Sequence, residues 1–168
     1  MKVGLIYASG QTNRYQTEAK VMEQQVDAHS WGVAAIIISC HPDPSANLLK
    51  HAILHDCAEW RGPGDISYRV KSVSPILKAE ADRIEDAEFA RMDVGLPALT
   101  EHEDQWLKWA DMAEVALHSL QLLHTCGYPC TIPILQRALK AMHVRVENLN
   151  AAAKELNTNI EEELNNVK

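Results

Sequence analysis

The chain has 168 residues, 46% hydrophobic and 23% charged, and carries a net charge of −7 at pH 7. This is the composition of a globular fold, not of a disordered or fibrous chain, and the length suits one domain with a substantial core. The acidic balance argues against a surface that tracks nucleic-acid phosphates, and the longest apolar run, Gly32 to Ile38, is too short to span a bilayer, so neither a nucleic-acid polymer nor a membrane is an expected partner.

Abundant Ala, Leu, Glu, Gln and Lys, against a single Phe, favour helices. The opening residues Met1-Lys2-Val3-Gly4-Leu5-Ile6-Tyr7 lack the apolar core of a secretory signal, and four Cys in that context read as reduced thiols. A cytoplasmic location is therefore expected. The first predicted helix begins near Glu18 and fades before His29. The second runs from about Ala28 to Cys40, with His29, Val33, Ile36, Ile37 and Cys40 on one face. His41-Pro42-Asp43-Pro44 breaks it. Asp43 or Ser45 can cap a third helix, with Pro44 tolerated in its first turn, reaching about Trp60. Gly62-Pro63-Gly64-Asp65 is a turn cluster. Pro75 to about Val94 reads as a charged amphipathic helix. Thr100-Glu101-His102-Glu103 is a capping box that opens another, ending near Thr125 before Cys126-Gly127-Tyr128-Pro129-Cys130. The last helix starts near Thr131 and continues to the C-terminus. The expected fold is all-α: a single-domain helical bundle over 1–168.

The third helix carries the chemistry. At helical spacing Leu48, Ala52, His55 and Glu59, with Leu49 and Asp56 alongside, form one stripe whose upper half is core. Its lower half bears three titratable groups that would be costly to bury unpaired. A divalent metal resolves the conflict by turning imidazole and carboxylate into ligands. His29 lies one turn before Val33 on an apolar face, and Asp111 stands between Leu107 and Val115 at four-residue spacing. Two His and two Asp suit Mn²⁺, Fe²⁺, Co²⁺ or Zn²⁺, with Mg²⁺ also in the set. Glu59, one turn after His55, can reach a water beside such an ion. The guanidinium of Arg14 suits bidentate contact with phosphate.

The order His29, His55-Asp56, Asp111 resembles the HD-domain metal-dependent phosphohydrolases. Arg14-Tyr15, His29-Ser30, His55-Asp56-Cys57-Ala58-Glu59, Gly64-Asp65 with Lys71, and Lys108-Trp109-Ala110-Asp111 are similar to the short 5′-deoxynucleotidase branch. Gln25-Val26-Asp27-Ala28-His29-Ser30-Trp31 and the short length resemble its small phage members, among them the dATP triphosphohydrolases of phages that replace adenine with 2-aminoadenine. Two departures stand out: Ala28 occupies a position where the family usually has Glu, and Trp60-Arg61-Gly62-Pro63-Gly64 carries one extra residue.

The resemblance implies an HD-type helical domain in which His29, His55, Asp56 and Asp111 hold the metal and Glu59 acts as general base toward the attacking water. It implies that Arg14, with Lys71, binds phosphate and that Asp65 binds the sugar or completes the catalytic site. Tyr15 would pack on the sugar and exclude a 2′-hydroxyl, making deoxynucleotides the substrates, with Gln16 and Thr17 near the base. Relatives form dimers or larger rings, so a homo-oligomer is expected, in a host cytoplasm if the chain is phage-encoded. Three activities fit: a dNTP triphosphohydrolase favouring dATP, a 5′-deoxynucleotidase, or a non-catalytic nucleotide-binding scaffold. Trp31, Trp60, Trp106 and Trp109 read as core or oligomer contacts, and His102, His118 and His143 as surface or rim residues without matched partners.

Overall fold

The computed structural model describes residues 1–15, 23–61, 73–127 and 129–167. It is mostly helical, with seven α-helices and one small two-stranded sheet among those residues. No helix among them is long and apolar enough to cross a membrane. The chain divides into two compact units, Met1–Ser30 with Ile53–Pro97, and Trp31–Ala52 with Ala98–Lys168.

The first unit opens with α1 (Val3–Ser9), which the sequence reading left unassigned. It has no side-chain cap; Leu5 and Ile6 hold it by packing against Leu54, Cys57, Met92 and Val94. Strands β1 (Asn13–Arg14) and β2 (Gln24–Gln25) pair antiparallel, Asn13 opposite Gln25 and Arg14 opposite Gln24. Of the helix expected from Glu18, residues 18–22 lie outside the described ones, and Gln24–Gln25 form a strand instead, their backbone groups paired with Asn13–Arg14. Helix α2 (Val26–Cys40) follows β2 directly. Cys57–Arg61 form a 3₁₀ helix. Helix α4 (Pro75–Met92) starts at Ser74, whose Oγ accepts from Leu77 N at 3.3 Å, with Pro75 at the first position where its missing N–H costs nothing. It stops at Asp93, in the left-handed region at φ 57°. Its surface carries ion pairs at helical spacing, Lys78–Asp82, Arg83–Glu80 and Arg91–Glu88, which favour the helix only weakly because water screens them. The Arg91 guanidinium also stands 5.2 Å over the Trp60 ring.

The second unit holds the larger core: Val33, Ile37, Leu48, Trp106, Trp109, Leu135, Met142 and Ile160 are all but sealed from solvent. Helix α3 (Ala46–Leu54) begins after Ser45, whose Oγ accepts from Leu48 N at 3.0 Å; Pro44 therefore lies ahead of the first turn rather than in it. Helix α5 (Glu101–Cys126) opens on the expected capping box, with the Thr100 side chain and the Glu103 carboxylate each bonding the other's backbone amide, and closes at Gly127 in the left-handed region. The single last helix expected from Thr131 is two, α6 (Ile132–Val146) and α7 (Ala151–Val167). Asn150 breaks it: its Oδ1 accepts from Ala153 N at 3.0 Å as a cap, and its Nδ2 donates to the Cys40 carbonyl at 2.6 Å.

Trp106 and Trp109 meet edge to face, 5.5 Å apart, and Trp109 Nε1 donates to buried Asn157 Oδ1 at 3.0 Å. Both are core, whereas Trp31 is exposed. Two of the three histidines expected to lack matched partners have neighbours of their own: His102 Nε2 accepts from Trp106 Nε1 at 3.1 Å, and His143 Nε2 lies 2.5 Å from Glu161 Oε1.

Candidate metal centre

The hairpin and the start of α2 set the first ligand. Val26 N donates to the Thr12 carbonyl at 2.9 Å and Asp27 N to the Gly10 carbonyl at 3.0 Å, so the helix begins against the preceding chain. Three residues on, His29 falls on the inward face and is fully buried. An imidazole sealed from solvent needs partners for its ring nitrogens, which makes its neighbours diagnostic.

Those neighbours come from residues just past α3. The sequence reading carried that helix to Trp60; it ends at Leu54, and His55 and Asp56 stand on a turn before the 3₁₀ helix. On a helix adjacent side chains diverge by about 100°; on the turn both reach the same place. His29 Nε2 lies 3.6 Å from Asp56 Oδ2, His55 Nε2 lies 3.4 Å from Asp56 Oδ1, and the two imidazole rings are 5.4 Å apart between centroids. These gaps are longer than good N–H···O hydrogen bonds. They are close to the roughly 3.0–3.4 Å between neighbouring donors that each sit about 2.1 Å from one ion.

Within this unit His29, His55 and Asp56 thus bring two imidazoles and one carboxylate together, a set that could hold a metal ion. Nitrogen and carboxylate oxygen in this mixture suit a borderline divalent cation such as Mn²⁺, Fe²⁺, Co²⁺ or Zn²⁺. Asp111, the fourth residue expected as a ligand from the sequence, lies on α5 in the second unit.

Arg14 reaches the same carboxylate. Its Nη1 donates to Asp56 Oδ2 at 2.8 Å, with both side chains largely enclosed. This pairing joins residues 42 apart and has no signature in the sequence. Tyr15, half-buried beside Arg14, adopts φ 64°, a conformation that costs a non-glycine residue about 1–2 kcal/mol. Glu59 is half-buried on the 3₁₀ helix, with its amide donating to the Asp56 carbonyl at 3.1 Å. Between them, burial first and then the Asp56 charge push the Cys57 thiol up to about 11, so it stays protonated and is no nucleophile near neutral pH. Gln16, Thr17, Asp65 and Lys71 lie outside the described residues.

The sequence reading passed over Glu114, a buried carboxylate on α5 among buried Ala110, Ala113 and Ala116. Its Cγ approaches Gly32 of α2 so closely that a β-carbon there would sit 2.7 Å away. The signal was present: an acid one turn after Ala110 in an otherwise small, apolar row.

Comparison with family models finds no match to the chain, and comparison with curated proteins finds none either.

Proposed function

We propose that the chain is a metal-dependent phosphohydrolase of 2′-deoxynucleotides on an HD-type helical domain, acting on dNTPs with dATP favoured. The observation that supports this most is the convergence of His29, His55 and Asp56 with the Arg14 guanidinium. The Arg14 guanidinium and a bound divalent ion would both favour an anionic ligand. His29, His55, Asp56 and Asp111 would hold the ion, which when bound supplies Lewis-acid polarisation of a phosphoryl oxygen and acidifies a water.

The remaining roles belong to side chains. Arg14 offers its outer N–H groups to a phosphate oxygen while one stays on Asp56. Glu59, three residues from Asp56, orients the attacking water and takes its proton. Tyr15, fixed next to Arg14, lies against C2′ of the sugar and disfavours a 2′-hydroxyl. Asp65, Lys71, Gln16 and Thr17 keep the roles that the family resemblance gives them. Assembly into a homo-oligomer is part of the same reading, with exposed Trp31 and Ile38 of α2 as its contact surface.

The test is product release from dNMPs, dNTPs and the matching ribonucleotides with Co²⁺ or Mn²⁺, each repeated with a chelator. Chelator-sensitive release from dNTPs, highest with dATP, is the expected result. Release from monophosphates alone makes the chain a 5′-deoxynucleotidase. No release from any nucleotide, together with retained nucleotide binding, leaves a binding scaffold and removes the enzymatic reading.

A further inference from the structure

Asp56 serves two kinds of neighbour at once. Its Oδ2 accepts a hydrogen bond from Arg14 Nη1 at 2.8 Å and lies 3.6 Å from His29 Nε2, while its Oδ1 lies 3.4 Å from His55 Nε2. The arginine and aspartate side chains are 12% and 18% exposed, so water screens their pairing only weakly. On an open surface such a pair would be incidental. Enclosed, it commits much of the carboxylate's charge to the guanidinium.

A cation gripped by the two imidazoles draws on that same carboxylate and faces the like charge of Arg14 close by. Pairing with Gln24 holds the Arg14 backbone in place, so what its guanidinium binds sets how much of that repulsion remains. An oxyanion is the ligand that a guanidinium fork fits. It would offset the like charge and release part of the carboxylate to the ion.

Resting on the phosphohydrolase reading, we propose that Arg14 couples the two ligands of this site: its share of Asp56 weakens the hold on a divalent ion until a phosphate group engages the guanidinium. Linkage makes the coupling reciprocal, so phosphate binds more tightly to the metal-loaded protein by the same factor.

The experiment titrates Co²⁺ into chelator-stripped full-length protein by calorimetry, with and without inorganic phosphate, for the natural chain, Arg14→Gln and Arg14→Lys. In the natural chain, phosphate tightens Co²⁺ binding by about tenfold. Arg14→Gln, which loses the charge, binds Co²⁺ about tenfold more tightly without phosphate and gains little from adding it. Arg14→Lys, which keeps the charge, stays near the natural chain without phosphate. Unchanged or weaker Co²⁺ binding in a folded Arg14→Gln overturns the coupling and leaves the metal centre standing. A phosphate effect equal in both proteins, or absent from the natural chain, overturns it too. Failure of the natural chain to bind Co²⁺ at all removes the phosphohydrolase reading and the coupling with it.

Discussion

Replacing Gly32 with alanine sets two effects of opposite sign against each other. In the interior of α2, alanine should stabilise the helix by about 1 kcal/mol relative to glycine. The added β-carbon, however, would meet Glu114 Cγ at 2.7 Å, Oε1 at 3.2 Å and Cδ at 3.4 Å, and Glu114 is itself buried. The contact falls on the middle of the side chain rather than its tip, so relief requires a new rotamer or a displaced helix, at about 1–3 kcal/mol. Taking about 2 kcal/mol for the clash leaves a net loss near 1 kcal/mol, which in a chain of this size lowers the melting temperature by roughly 2–4 °C. Gly4, with nothing within 4 Å of its virtual β-carbon, is the control, and Gly4→Ala should not destabilise. The decisive assay is thermal unfolding followed by circular dichroism in two backgrounds. With Glu114→Ala already present the clash is gone, and Gly32→Ala should turn stabilising. An equal effect of Gly32→Ala in both backgrounds, or stabilisation in the natural one, refutes the reasoning.

Trp109→Phe strips the donor from buried Asn157 Oδ1 and should cost about 1–3 kcal/mol, while adding Asn157→Leu recovers most of it; paired melting curves measure both. Bonds from Ser45, then from the amide and hydroxyl of Thr100, pull the Glu103 carboxyl from an ordinary 4.5 down to about 2. A lowered folded-state value contributes stability above pH 4.5 and loses it as pH falls toward 2, so the natural chain should lose stability through that window more steeply than Glu103→Gln in acid titrations followed by circular dichroism. Glu59→Ala should keep Co²⁺ affinity within a few-fold and lose about 10²–10⁴ in turnover; calorimetry and product release read the two separately, and undiminished turnover removes Glu59 from the mechanism.

What could be read from the sequence was what local chemistry dictates. Helix α5 announced both of its ends, through Thr100 and Glu103 at one and Gly127 at the other. The inward face of α2, from His29 through Val33 and Ile37, followed from spacing alone. Features that depend on distant partners were hidden. Two-residue strands show no alternation, and α1 has no cap, so its place depends on Leu54 and Met92 far along the chain. The end of α3 was masked because His55 and Asp56 continue an apolar stripe with neither Gly nor Pro to mark the change. The candidate ligands His55 and Asp56 were expected on a helix that stops short of both. Arg14 on Asp56 emerges only once the hairpin and the turn are both in place.

That short stop after Leu54 puts His55 and Asp56 side by side on one turn, with Nε2 and Oδ1 3.4 Å apart. Their bite is set by one peptide unit rather than by how separate helices happen to pack. Breathing of the surrounding scaffold therefore carries both side chains as one piece, held together by covalent connectivity.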